Sequence, residues 1–168
     1  MIVTVVSEGA CEAKVELAER LAALRSQSGR KVLLMDADSQ PHPPHPLPAR
    51  TVSGKGVGAE LENQGQRFQD IVVDADGRDS LGSRAALIAA RVVVVPADAL
   101  HGDPARAARL AERIGNARLF NPGLRIVIVP GASHDPLDLH AAVLLHARLP
   151  GAELAAGADT LYASVFRN

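Results

Sequence analysis

The sequence predicts an α/β three-layer sandwich, a mostly parallel sheet of about six strands with helices on both faces. Three observations carry this prediction. Apolar, β-branched runs of strand length recur along the chain, among them MIVTVV at 1–6, RVVVVP at 91–96 and LRIVIV at 124–129. Segments of helical period separate them. Two further runs, KVLLM at 31–35 and QDIVV at 69–73, are each followed directly by an aspartate and a turn. Finally, the apolar residues are mostly Ala, Val and Leu; there is no Trp, and Phe68, Phe120, Tyr162 and Phe166 are the only aromatics. Small aliphatics suit a Val-rich parallel sheet under Ala-rich helices.

The elements follow in order. Val15, Leu17, Ala18, Leu21, Ala22 and Leu24 give the first helix, and Gly29 closes it before the strand at 31–35. Strand, turn, helix and strand make a βαβ unit with a right-handed crossover. Ligands of such sheets bind at the carboxyl ends of the strands, here the turns at 7–14 and 36–40. Residues 41–50 hold five prolines, which favours a stiff polyproline stretch lying over or beside that edge. His42 and His45 are three apart there, but with no Cys or carboxylate taken as near in sequence they read as part of a solvated loop. Gly54-Lys55-Gly56 imitates a phosphate loop but has no long apolar strand before it, so a short edge strand, a turn and a helix over about 57–67 are expected. The strand at 69–74 leads into a helix over 80–90 capped by Asp79 or Ser80. Asp103-Pro104 opens an amphipathic helix over 104–114, and Arg106, Arg109, Arg113 and Arg118 on or near it read as a solvated stripe. Ser133 or Asp135 is expected to cap a helix over 136–148 with Leu137, Val143, Leu144 and Leu145 inward. A short strand at 152–155 and a terminal helical turn at 159–166 complete the chain.

The first forty residues carry a resemblance. Strand 1–6, the loop Ser7 to Lys14, a helix, and a strand ending Asp36-Ala37-Asp38-Ser39-Gln40 resemble the ParA/MinD family of deviant P-loop partition ATPases. That family has K-G-G-x-G-K-[ST] in the loop and D-x-D-P-Q after the second strand. Asp74-Ala75-Asp76-Gly77-Arg78-Asp79 is similar to the family's D-A-G-G-R-D. The resemblance covers about residues 1–165 and implies a single P-loop NTPase-like domain over 1–168, lacking the family's usual C-terminal helix. It implies nucleotide contacts at Gly9, Ala10, Cys11, Glu12, Ala13, Lys14 and Val15, a catalytic role for Asp38, and Mg²⁺ at Asp36 and Asp74. It also implies a protein partner, either a partition-type adaptor or a second copy in a homodimer.

The loop departs from the family pattern. Gly9 stands at the signature lysine, Ala10, Cys11 and Ala13 at glycines, and Val15 at the hydroxyl that ligates the metal. A phosphate cradle needs backbone N–H groups converging on one anion, which glycine permits. Val15 has no oxygen to offer a cation. Pro130 and Gly131 stand where the family commonly has an Asn against adenine. The expectation is therefore a degenerate nucleotide site with no cofactor, ATP and Mg²⁺ belonging only to a functional version of it. A pseudo-ATPase serving as a binding or regulatory module follows. The alternatives are a divergent active ATPase using Lys14, Asp36, Asp38 and Asp74, and an interaction module using the helix 104–118.

Composition narrows the partners. With 18 basic and 19 acidic residues, no global field favours nonspecific DNA binding or an anionic membrane. No 18-residue apolar run is present, so a cytoplasmic protein without a membrane span is expected. Cys11 is the one cysteine and reads as a small residue tolerated in the turn. Because Asp36, Asp38 and Asp74 share the strand-end edge, one of them should have a raised pKa. Lys14 should pair with Asp36 or Asp74.

Overall fold

The computed structural model describes residues 1–100, 102–131, 136–156 and 158–167. The strands are β1 (Ile2–Val5), β2 (Val32–Ala37), β3 (Ala49–Thr51), β4 (Asp70–Ala75), β5 (Val92–Pro96), β6 (Arg125–Val129) and β7 (Glu153–Leu154). They form one sheet in the order β3-β2-β4-β1-β5-β6-β7, and every pairing is parallel. Seven strands thus replace the expected six or so. The edge strands, three and two residues long, are the two short strands expected before the second helix and at 152–155.

The helices are α1 (Glu12–Gln27), α2 (Gly56–Gly65), α3 (Leu81–Ala89), α4 (Pro104–Phe120), α5 (Pro136–Arg148) and α6 (Ala158–Phe166). Alternating strand residues sort the core between two faces. Val3, Val5, Val72, Val92 and Val94 pack with Leu17, Leu21, Leu161 and Val165, which places α1 and α6 on one face. On the other, Ile71 and Val73 meet Val57 and Leu61 of α2, while Val93, Val95, Ile126 and Ile128 meet α4 and α5. This is the three-layer sandwich that the sequence predicts.

Local chemistry sets the helix starts. Ser80 caps α3 by accepting from the Ser83 amide, and Asp103 caps α4 by accepting from the Ala105 amide. Helix α4 runs to Phe120, six residues past the expected end, because Ala117 is still buried against the core. In α5, Val143 is exposed, contrary to expectation, and the inward stripe is Ala141, Ala142, Leu145 and Leu149 around α5 and its end. Alanines carry this stripe, so a reading weighted to large residues misplaces the face. The expected caps Ser133 and Asp135 lie outside the described residues.

The strands on the two sides of β1 are reached in opposite directions, since the chain leads left from β1 to β2 and β3 and then right through β4, β5, β6 and β7. The carboxyl end of β1 is therefore the switch-point crevice of a doubly wound sheet. Asp36 and Asp74 stand side by side there, paired in register between β2 and β4.

Candidate functional site

The loop from Ser7 to Ala13 is tied down by its own chain. Ser7 Oγ donates to the Gly9 carbonyl at 2.7 Å, and the Gly9 amide donates to the Gly77 carbonyl at 2.8 Å. Gly9 has φ +92°, a backbone conformation that favours glycine. A Cβ on Gly77 would lie 2.2 Å from the Gly9 carbonyl oxygen, so the turn after β4 is pressed directly onto this loop. Ala10 and Glu12 are exposed, Ala13 and Val15 half-buried, and Cys11 is the extended N-cap of α1 without a side-chain cap bond. Burial raises the Cys11 thiol pKa against the opposing amides of Lys14 and Ala13. The side chain is half-buried and lies at the edge of the neighbouring cleft.

Lys14, in the first turn of α1, has no exposed surface. Its ammonium pairs with Asp38 and, at 2.7 Å, with Asp74 Oδ1, and it donates to the Ala75 carbonyl at 2.5 Å. The expected Lys14–Asp74 pair is present. The alternative partner, Asp36, is not used: the turn after β2 carries Asp38 to the lysine instead. Asp36 accepts from the Asp38 amide at 3.3 Å and faces His42 Nε2 at 3.2 Å. Burial pushes the Asp74 pKa up more than Lys14 brings it down, with Asp38 adding repulsion. The strand-end cluster therefore holds one carboxyl above its usual range as expected, though burial rather than crowding is the main cause.

The proline-rich segment lies over the strand ends as expected, but it is not a solvated loop there: the His45 side chain is only 2% exposed. His45 Nδ1 lies 2.7 Å from Glu19 Oε1 of α1, and its Nε2 lies 3.3 Å from Asp74 Oδ2. Sequence reasoning set both histidines aside for lack of a nearby carboxylate, although Asp36 precedes His42 by only six residues. That spacing was the available signal; the contacts with Glu19 and Asp74 are long-range and had none.

The arginine stripe of α4 is solvated only in part: Arg109 is exposed as expected, Arg106 and Arg118 are half-buried and Arg113 is buried. Arg106 donates to the Glu8 carbonyl at 3.1 Å, while Arg109 and Arg113 reach the two Glu8 carboxylate oxygens at 2.9 and 2.8 Å. Arg113 is buried and also donates to Gly77 O at 3.2 Å and Ser83 Oγ at 3.1 Å. Arg118 donates to Pro150 O at 2.8 Å. Arg106, Arg109 and Arg113 brace the 7–9 loop, largely through Glu8.

Beside the loop opens a cleft of about 400 Å³ between α1 and the proline-rich segment. Its lining includes Glu12, Glu16, Glu19 and Asp38 and contains no lysine or arginine. Among the described residues, no helix is long and apolar enough to cross a membrane.

No family model matches the sequence, and no curated protein matches it. Solved structures match over nearly the whole chain. Apo McdA from Cyanothece superposes with TM-score 0.66 at 15% identity, covering 98% of this chain and 90% of that one. Cobyrinic acid a,c-diamide synthase from Mycobacterium smegmatis, with bound ADP and magnesium, gives 0.63 at 16% over 99% and 90%. A plasmid partition protein from Borrelia burgdorferi gives 0.61 at 14% over 98% and 95%. The fold is that of the ParA/MinD-type P-loop proteins.

Proposed function

We propose that this protein is a partition-type module whose nucleotide site is closed by its own side chains, a pseudo-ATPase that works by binding a protein partner. The observation carrying this reading is the fully buried Lys14, held by Asp38, Asp74 and the Ala75 carbonyl. A lysine so placed has no donor left over for a phosphate without breaking a buried pair. Three further features support it. The Gly9 amide is spent on Gly77, Val15 offers no oxygen to a cation, and the neighbouring cleft is lined with carboxylates that repel a polyphosphate. A nucleotide with Mg²⁺ does not fit this set of groups, so no hydrolytic step is assigned to Asp38, Asp36 or Asp74.

The test is a titration of metal-stripped full-length protein with a fluorescent ATP analogue, with and without Mg²⁺. No saturable binding is expected. The variant A10G/C11G/A13G/V15T should gain binding if the frame is otherwise sound. Binding by the unaltered protein that Lys14→Ala abolishes would establish an open nucleotide site and overturn the proposal. The arginine helix as a docking face is disfavoured by the engagement of all four arginines within the chain.

A further inference from the structure

Two imidazoles and two carboxylates converge at the carboxyl ends of β2 and β4. One ligand atom from each of Asp36, His42, His45 and Asp74 lies within 4.8 Å of every other. Two of the separations are already short: His42 Nε2 to Asp36 Oδ1 at 3.2 Å and His45 Nε2 to Asp74 Oδ2 at 3.3 Å. Four ligands held at the roughly 2.0–2.1 Å typical of zinc, in a tetrahedron, stand about 3.3 Å apart. Two edges of such a tetrahedron are thus built, and the remaining edges need only a modest closing of the histidine-bearing segment.

The hydrogen bonds behind the rings are the stronger argument. His42 Nδ1 lies 2.7 Å from the Pro43 carbonyl. A carbonyl only accepts, so Nδ1 carries a proton, and Nε2 faces Asp36 Oδ1 at hydrogen-bond distance, as a donor when the ring is protonated and as a lone pair when it is neutral. His45 Nδ1 likewise donates to the Glu19 carboxylate at 2.7 Å, turning the Nε2 lone pair towards Asp74. Ligating histidines usually carry this outer bond from Nδ1–H to a carboxylate or backbone carbonyl. Nε2 of His45 and Oδ2 of Asp74 are buried and have no hydrogen-bond partner. With its proton on Nδ1, His45 faces Asp74 acceptor to acceptor, an arrangement that a cation between them relieves.

Charge points the same way. Asp36, Asp38 and Asp74 crowd one edge, and Lys14 supplies a single ammonium to Asp38 and Asp74. A divalent cation would balance the rest. Paired imidazoles select a borderline transition metal over Mg²⁺, which takes oxygen ligands.

We infer that Asp36, His42, His45 and Asp74 form a binding site for a divalent transition-metal ion of the zinc class, with Glu19 orienting His45 from behind. The ion staples the proline-rich segment onto the strand ends and closes the crevice from above. The inference shares Asp36 and Asp74 with the closed-site reading but does not depend on it. A nucleotide titration without transition metal tests one, and a metal titration without nucleotide tests the other.

The full chain, stripped with a chelator, is titrated with Co²⁺, followed by visible absorption, and with Zn²⁺ in competition. One equivalent should bind with the intense ligand-field bands of a four-coordinate ion, Zn²⁺ should displace it, and a large excess of Mg²⁺ should not. H42A and H45A should each weaken binding at least tenfold, and E19Q, which touches no metal, by roughly ten- to a hundredfold. Circular dichroism checks that each variant folds; should H45A not fold, H42Q on the more open ring keeps the test. Absence of stoichiometric Co²⁺ or Zn²⁺ binding overturns the inference. So does binding that survives H42A and H45A, or a site that Mg²⁺ fills equally well.

Discussion

Strand β4 carries a buried aspartate at each end of the same face, and the two are served very differently. Helix α1 crosses that face antiparallel to the strand. Its Arg25 meets Asp70 at the amino end and its Lys14 meets Asp74 at the carboxyl end. The eleven-residue spacing of the two cations spans roughly 16 Å of helix, and the four-residue spacing of the aspartates roughly 13 Å of strand. One helix can therefore reach both. Asp70 also receives Arg30 at 3.0 Å and the Met1 amine at 3.2 Å. Burial works against its charge, yet Arg30, Arg25 and the amine outweigh it and lower its pKa. Asp74 shares a single lysine with Asp38, lies beside Asp36, and its pKa is raised. The amino end holds more positive charge than it needs. The carboxyl end holds a deficit, and the crevice of a doubly wound sheet is where a deficit can serve a ligand.

The largest expected effect comes from removing the one cation at the crowded end. Lys14→Ala leaves two buried carboxylates without their partner, at about 3–5 kcal/mol of stability. Chemical denaturation without nucleotide or metal measures it. Unchanged midpoints would mean that the lysine is free for a phosphate and that the comparison has no energetic content.

Asp70→Asn should be smaller, about 1–3 kcal/mol at neutral pH, because Arg30 is partly exposed and keeps its hydration. Its pH dependence has a definite sign. A lowered folded-state pKa stabilises above the unfolded value of about 3.9 and is lost as pH falls through the folded value. Wild type and Asp70→Asn should therefore converge on acidification. A gap that persists at low pH would mean that Asp70 acts through packing.

Asp74→Asn gives the smallest change and the opposite slope. A raised folded-state pKa favours the fold fully below the unfolded value, and the advantage is lost as pH rises through the folded one. Metal-stripped wild type should lose stability relative to Asp74→Asn between acid and neutral pH. Parallel stability curves for the two proteins would show that Asp74 ionises in the fold as easily as in the unfolded chain.

Much of this was legible in the sequence. The βαβ opening, the runs ending in Asp36 and Asp74, and the Ser80 and Asp103 caps are local patterns, and local physics reproduced them. The Lys14–Asp74 pair was also accessible, because a parallel sheet brings strand ends to one edge and α1 starts there. The engagement of Arg106, Arg109 and Arg113 with Glu8 was not, since Glu8 lies about a hundred residues earlier. Nor was the burial of His45, whose partners Glu19 and Asp74 come from a helix and a strand on either side of it in the chain. By itself the sequence determined the layers, the strand-end carboxylates and the scarcity of glycine and absence of a hydroxyl between Gly9 and Val15. Only the tertiary structure decided which charges meet, because long-range pairing follows from how helices and loops fold back over the sheet, and periodicity carries no record of that.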